Sequence, residues 1–117
     1  MSGAAERVDA IVVGARCAGS ATAIALARAG RRVVALDRAR FPSDTLSTHL
    51  LWPSGVAELR RLGALPRVLA LDAPPLPRAL AGGAGLEVRG DFRPVDGIDH
   101  ALCVRRPGLD AALVDAA

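Results

Sequence analysis

Six residues near the N-terminus, Gly14-Ala15-Arg16-Cys17-Ala18-Gly19, together with the acid Asp37, have the types and spacing that can hold a dinucleotide. Gly14 permits a sharp turn out of a strand. A helix beginning near Cys17 offers free backbone N–H groups and the positive end of its dipole, which together favour a pyrophosphate. Gly19 and the small residues Ser20, Ala21 and Ala25 let that helix pack closely on a sheet. Asp37 follows Gly14 by 23 positions and can accept hydrogen bonds from both hydroxyls of a ribose. Arg16 breaks the G-x-G-x-x-G pattern, standing where a middle glycine would let backbone approach phosphate. It is expected to crowd the site unless its guanidinium turns outward and covers the phosphates.

The elements needed to position these residues are legible around them. Residues 10–13 (AIVV) form a β-branched apolar run, the signature of a buried strand. An alanine-rich helical segment follows to about Ala29, where Gly30 stops it. Residues 33–36 form a second strand that delivers Asp37 at its end. This β-turn-α-β order is the context the glycine motif requires, and it weighs against the blander reading of a βαβ unit that binds nothing.

Downstream, residues 38–48 read as a loop punctuated by Pro42, Ser43 and Asp44. Pro53 fits the first position of a helix and Gly63 the residue after its end, with Val56, Leu59 and Leu62 as the apolar stripe. A shorter helix opens at Leu65-Pro66 and runs towards Leu71, with residues 72–75 ending it. Residues 78–82 and 86–92 suggest a hairpin joined through residues 82–85, residues 94–99 a loop, and residues 101–104 a short strand. Pro107 then opens a helix carrying Leu109 and Leu113 on one face. No further buried parallel strand is evident, so the chain is expected to be part of a longer protein. Residues 1–6 read as a frayed start.

Composition narrows the function classes. The chain has 117 residues, a net charge of +3 and 51% hydrophobic residues; all 15 basic residues are arginine. The arginines are scattered and aromatics make up only 3%, which argues against a nucleic-acid partner. No window has the length of a membrane span, and no secretory signal is evident. The two cysteines, Cys17 and Cys103, form no metal or redox spacing, and a reducing cytoplasmic compartment is the default expectation. Cys17 lies near a helix N-terminus, which lowers a thiol pKa, although a packing role is the simpler expectation. Cys103, in an apolar strand, is expected in the core. Asp44 reads as a turn cap or ion-pair partner, Trp52 as a packing residue, and His49 either as a loop histidine bonded to backbone or as a group facing a cofactor or substrate. Arg105 and Arg106 cannot both point the same way on an extended segment.

Three stretches together resemble a known family: DAIVVGARCAGSATAIALARAGRRVVALDR at residues 9–38, FPSDTLSTHLLWPSGVAELRRLGAL at 41–65 and RRPGLDAALVDAA at 105–117. They look like the N-terminal region of FAD-dependent oxidoreductases with the aromatic-hydroxylase (para-hydroxybenzoate hydroxylase-like) fold, a group that includes flavin monooxygenases and geranylgeranyl reductase-like proteins. The resemblance implies FAD as cofactor. Gly14, Arg16, Cys17, Ala18 and Gly19 would hold its pyrophosphate, Asp37 the adenosine ribose, and Arg38 would lie beside the adenine. Ser47 and Thr48 sit where the family's loop approaches the flavin and its phosphates. Arg106, in the pattern R-x-x-L-x-x-x-L with Leu109 and Leu113, matches a cofactor-contacting position.

The resemblance further implies that NAD(P)H reduces the flavin, which then activates O₂ to hydroxylate a small organic substrate, or, in the reductases, passes hydride to a double bond. The flavin carries that chemistry, so no side chain here is required as acid, base or nucleophile; catalytic residues stay unassigned, and no metal is expected. The expectation is therefore an α/β, Rossmann-like βαβ FAD-binding unit with additional helices and a small β element. Residues 1–117 would form the N-terminal part of an incomplete FAD-binding domain, without the substrate domain or the C-terminal FAD motifs. A geranylgeranyl-type reductase, an NAD-binding dehydrogenase fragment and a non-catalytic nucleotide-binding module are the alternatives. Substrate identity and oligomeric state are not legible.

Overall fold

The computed structural model describes residues 5–117, so the expected frayed start lies partly outside the described residues. Strand β1 (Ala10–Val13) leads through the glycine turn into helix α1 (Cys17–Arg28), and the chain returns as β2 (Val33–Leu36). The two strands pair in parallel, Ala10 against Val33 through Val13 against Leu36. Gly30 ends α1 with φ +78°. Its N–H bonds to the Ala27 carbonyl at 2.9 Å and that of Arg31 to the Leu26 carbonyl at 3.1 Å, the paired bonds of a glycine-terminated helix. This βαβ unit is the only parallel pairing among the described residues.

Helices α2 (Pro53–Arg61) and α3 (Leu65–Leu69) follow, α2 ending on Gly63 (φ +74°) with the same paired bonds. A small antiparallel sheet was only partly foreseen. Strand β3 (Leu50–Leu51) and strand β4 (Pro75–Leu76) flank strand β7 (Ala101–Cys103) in the order β3-β7-β4. Two-residue strands carry no periodicity of their own, and the segment containing Pro75 had read only as the end of a helix. Strands β5 (Arg78–Gly83) and β6 (Leu86–Asp91) form the hairpin. Its turn is two residues, Ala84 and Gly85, with φ +50° and +80°, not the wider connection over residues 82–85. Left-handed values at both positions suit the twist of the strands, which extends the pairing to Gly83 and Leu86. Helix α4 (Arg106–Ala116) closes the structure.

The core lies among the helices and β7, away from the parallel pair. Ile24 of α1, Val56 and Leu59 of α2, Val68 of α3, Leu102 of β7 and Leu109 and Leu113 of α4 form one buried cluster. Ser20 and Ala23 bury the other contacts of α1. The opposite face of the parallel pair, carrying Ile11, Val13 and Leu36, is exposed. Cys103 departs from its expected core position. Cys103 shares a face of β7 with Ala101, which is fully buried, so the strand is covered at its start and the Cys103 end is left exposed.

Candidate nucleotide-binding site

The glycine turn is built by two backbone constraints and closed by a carboxylate. Gly14 adopts φ +97°, a region that strains any side chain-bearing residue, and its N–H bonds to the Leu36 carbonyl at 2.6 Å. A Cβ on Gly19 would overlap the Gly14 carbonyl oxygen and lie 2.8 Å from the carbonyl carbon. The first turn of α1 therefore rests directly on the turn that precedes it, which is the close helix–strand approach inferred from the small residues. Asp37 then spans the turn. Its Oδ2 accepts the Ala15 N–H at 2.7 Å and its Oδ1 accepts the Ala39 N–H at 2.7 Å. These two backbone donors, that of Ala39 foremost, hold the carboxyl below the usual carboxylate range. Asp37 is thus ionised at neutral pH and keeps further lone pairs for a ligand.

Arg16 runs out of the turn towards α4 and the loop that follows β2. Its Nη1 donates to Asp110 Oδ2 at 2.6 Å and to the Ser43 carbonyl at 3.2 Å, and its Nη2 donates to Ser43 Oγ at 2.7 Å. Its guanidinium carbon lies 5.4 Å from the centre of the Phe41 ring. Each of these partners lies outside the turn, so the guanidinium is turned outward, while Arg16 still lines the cleft beside Gly14.

Asp110 is fully buried, and it also accepts Arg106 Nε and Nη2 at 3.1 and 3.0 Å and the Cys17 thiol at 3.1 Å. Burial, then the bond to Asp110, pushes the Cys17 thiol up to about 11. The lowering expected from the helix N-terminus is therefore reversed, and Cys17 is a packed, protonated thiol. Asp110 had not been singled out in the sequence. The available signal was an acid four residues after Arg106 on a helix face otherwise made of Leu109, Ala112 and Leu113.

The remaining site residues are less tightly gathered. Gly14, Arg16, Asp37 and Arg38 line one open cleft of about 330 Å³ with Val13 and Leu36. Arg106, the first residue of α4, is joined to the turn through Asp110, while Arg105, the extended N-cap, points outward to Asp44 at 3.5 Å; the two diverge at a helix start and not along the extended segment expected from the sequence. Ser47 lines a separate, shallower recess with Asp44, Thr45, Leu46 and His49, and Thr48 is exposed beside it. Ser47 Oγ accepts the His49 N–H at 3.1 Å and Asp44 Oδ1 the Thr45 N–H at 2.9 Å, so both act as local turn caps. His49 holds φ +59°, and its Nδ1 is buried without a partner among the described residues. Trp52 packs edge-on against Phe92 at 5.3 Å.

Helix α1 has no side-chain N-cap bond and no acid in its first turn. The N–H groups of Cys17, Ala18 and Gly19 at the start of α1 therefore have no side-chain cap, in the positive end of the dipole. A diphosphate fits that donor set, and an ionised Asp37 at the rim fits a ribose. No group of three or more metal-ligating side chains occurs among the described residues. Among the described residues no helix is long and apolar enough to cross a membrane.

Comparison with known proteins follows the same lines. No protein-family model matches the chain. It is 56% identical over 57 residues to a menaquinone reductase of Mycolicibacterium smegmatis, covering 49% of this chain and 14% of that protein. It is 31% identical over 114 residues to a squalene monooxygenase of Candida glabrata, covering 92% of this chain and 23% of that one. Among solved structures, a myxobacterial FAD-dependent chondrochloren halogenase superposes with a TM-score of 0.81 at 26% identity, covering 93% of this chain and 26% of the halogenase. A flavoprotein/dehydrogenase of Cytophaga hutchinsonii gives 0.83 at 25% identity over 94% of this chain and 27% of its own. The chain thus spans at most about a quarter of the length of these relatives.

Proposed function

We propose, from the premise that this chain belongs to the FAD-dependent oxidoreductases, that its glycine turn and Asp37 hold the adenosine diphosphate half of FAD for a flavin-dependent monooxygenase. The observation that carries this reading is the turn closed by Asp37 in front of an uncapped helix N-terminus. The amides of Cys17, Ala18 and Gly19 bind the pyrophosphate, Asp37 orients the ribose, and Arg38 lies beside the adenine. Ser47 and Thr48 approach the flavin end, and Arg106 reaches the cofactor from the start of α4. When bound, FAD supplies redox chemistry: reduced by NAD(P)H, it activates O₂ towards a small organic substrate. This chain's residues bind and orient it, and none is required as acid, base or nucleophile. Two unpaired cysteines support a reducing, cytoplasmic compartment.

A second reading, a flavin-dependent reductase, is favoured by the 56% identity to a menaquinone reductase over half of the chain. A dehydrogenase using NAD and a module that binds nucleotide without catalysis are the remaining alternatives. The test is the visible spectrum of the chain after FAD is added and the excess removed. Retained flavin bands that disappear in Gly14→Val and Asp37→Ala support the site. No retention of FAD together with binding of NAD transfers the assignment to the dehydrogenase class.

A further inference from the structure

Two side chains, Arg16 and Cys17, make the turn of this chain bulkier than its small neighbours, and both are bonded to one carboxylate 93 or 94 residues away. Asp110 has no exposed surface, and Arg16 and Arg106 enclose it from two sides. A buried carboxyl group between two guanidinium groups stands only where the geometry satisfies it. Arg16 keeps a quarter of its side chain exposed and still borders the cleft beside Gly14. Released, its long, rotatable side chain is free to enter that cleft.

We propose that Asp110 is a positioning residue of the nucleotide site. It tethers the Arg16 guanidinium to α4 and to Ser43, so that a turn lacking its middle glycine still presents open backbone amides. The inference rests on the reading of the turn as a cofactor site. Asp110 touches no ligand in this arrangement and acts through Arg16. The Ser43 and Phe41 contacts then make the loop after β2 part of the same tether. Arg106 holds the carboxylate in place, which gives the four-residue spacing from Arg106 to Asp110 a use beyond helix stability.

The test is a cycle of Arg16→Gly, Asp110→Asn and the double variant, with FAD affinity read by quenching of flavin fluorescence. Asp110→Asn is expected to weaken FAD binding about tenfold beside Arg16 and to cost little beside Gly at position 16, a coupling of the size seen between touching residues. Equal losses in both backgrounds, or no loss in either, overturn the proposal; a general packing role for Asp110 gives the former. A second readout needs no flavin. In ¹⁵N-arginine-labelled protein, the signal lost in Arg16→Lys should show hindered guanidinium rotation, and Asp110→Asn should free it. Free rotation of Arg16 in the wild type overturns the tether whether or not FAD binds. Hindered rotation with no FAD binding sustains the tether and overturns the cofactor assignment instead.

Discussion

The Asp37 carboxylate accepts the Ala15 N–H at 2.7 Å across 22 residues, tying the end of β2 to the turn after β1. One acid thus shapes the turn as well as facing the cleft, and its replacement has two consequences. Its pKa is depressed from the ordinary 3.8 by the Ala39 and Ala15 amides. The stability it contributes is therefore complete above that ordinary value and is lost as pH falls through the lower folded value. The melting-temperature difference between wild type and Asp37→Asn should be constant at neutral pH and shrink in the acid range. A difference that grows on acidification contradicts the assignment. FAD affinity should fall in the same variant at neutral pH.

Gly19 tests the packing of α1 on the turn. An alanine there has no space beside the Gly14 carbonyl. Gly19→Ala should cost about 3 kcal/mol or more, the upper end of overpacking effects, read as a lowered denaturant midpoint. Gly83→Ala in the hairpin, where an added Cβ meets nothing within 4 Å, is the control and should move the midpoint little.

Cys17 and Cys103 should separate chemically. With its thiol pushed up to about 11 and half-buried, Cys17 should resist iodoacetamide at mildly alkaline pH, while the exposed Cys103 is alkylated. Peptide mapping by mass spectrometry reads the two sites in one experiment. The raised thiol contributes stability that is complete below its ordinary 9.0 and is lost as pH rises through about 11. Cys17→Ala should lack that alkaline loss.

Arg28 joins two helix ends. From the last turn of α1 its guanidinium donates to the carbonyls of Arg61 and of Leu62, the latter at 2.8 Å, where α2 ends. Arg28→Ala should cost about 1 kcal/mol by leaving two terminal carbonyls to water, measured by chemical denaturation. Arg61→Ala, whose side chain pairs only with Glu58 on the same exposed face, should cost less.

What could be read from residues alone were the features whose causes are local. Gly14, Gly30 and Gly63 stand where the chain needs left-handed backbone, and Pro53 and Pro107 open helices, so the turn, the helix ends and the βαβ order were legible. Asp37 could be placed at the rim because a strand of known length carries it there. The two-residue strands β3 and β4 were not legible, since they exist only by pairing with β7. Nor was the exposure of Cys103, which depends on how far along β7 the covering elements reach. Tertiary structure alone decided the direction of Arg16, the reversal of the Cys17 shift and the role of Asp110. A neighbouring guanidinium and thiol acquire their chemistry from a carboxylate more than 90 residues away, and no local pattern encodes that meeting.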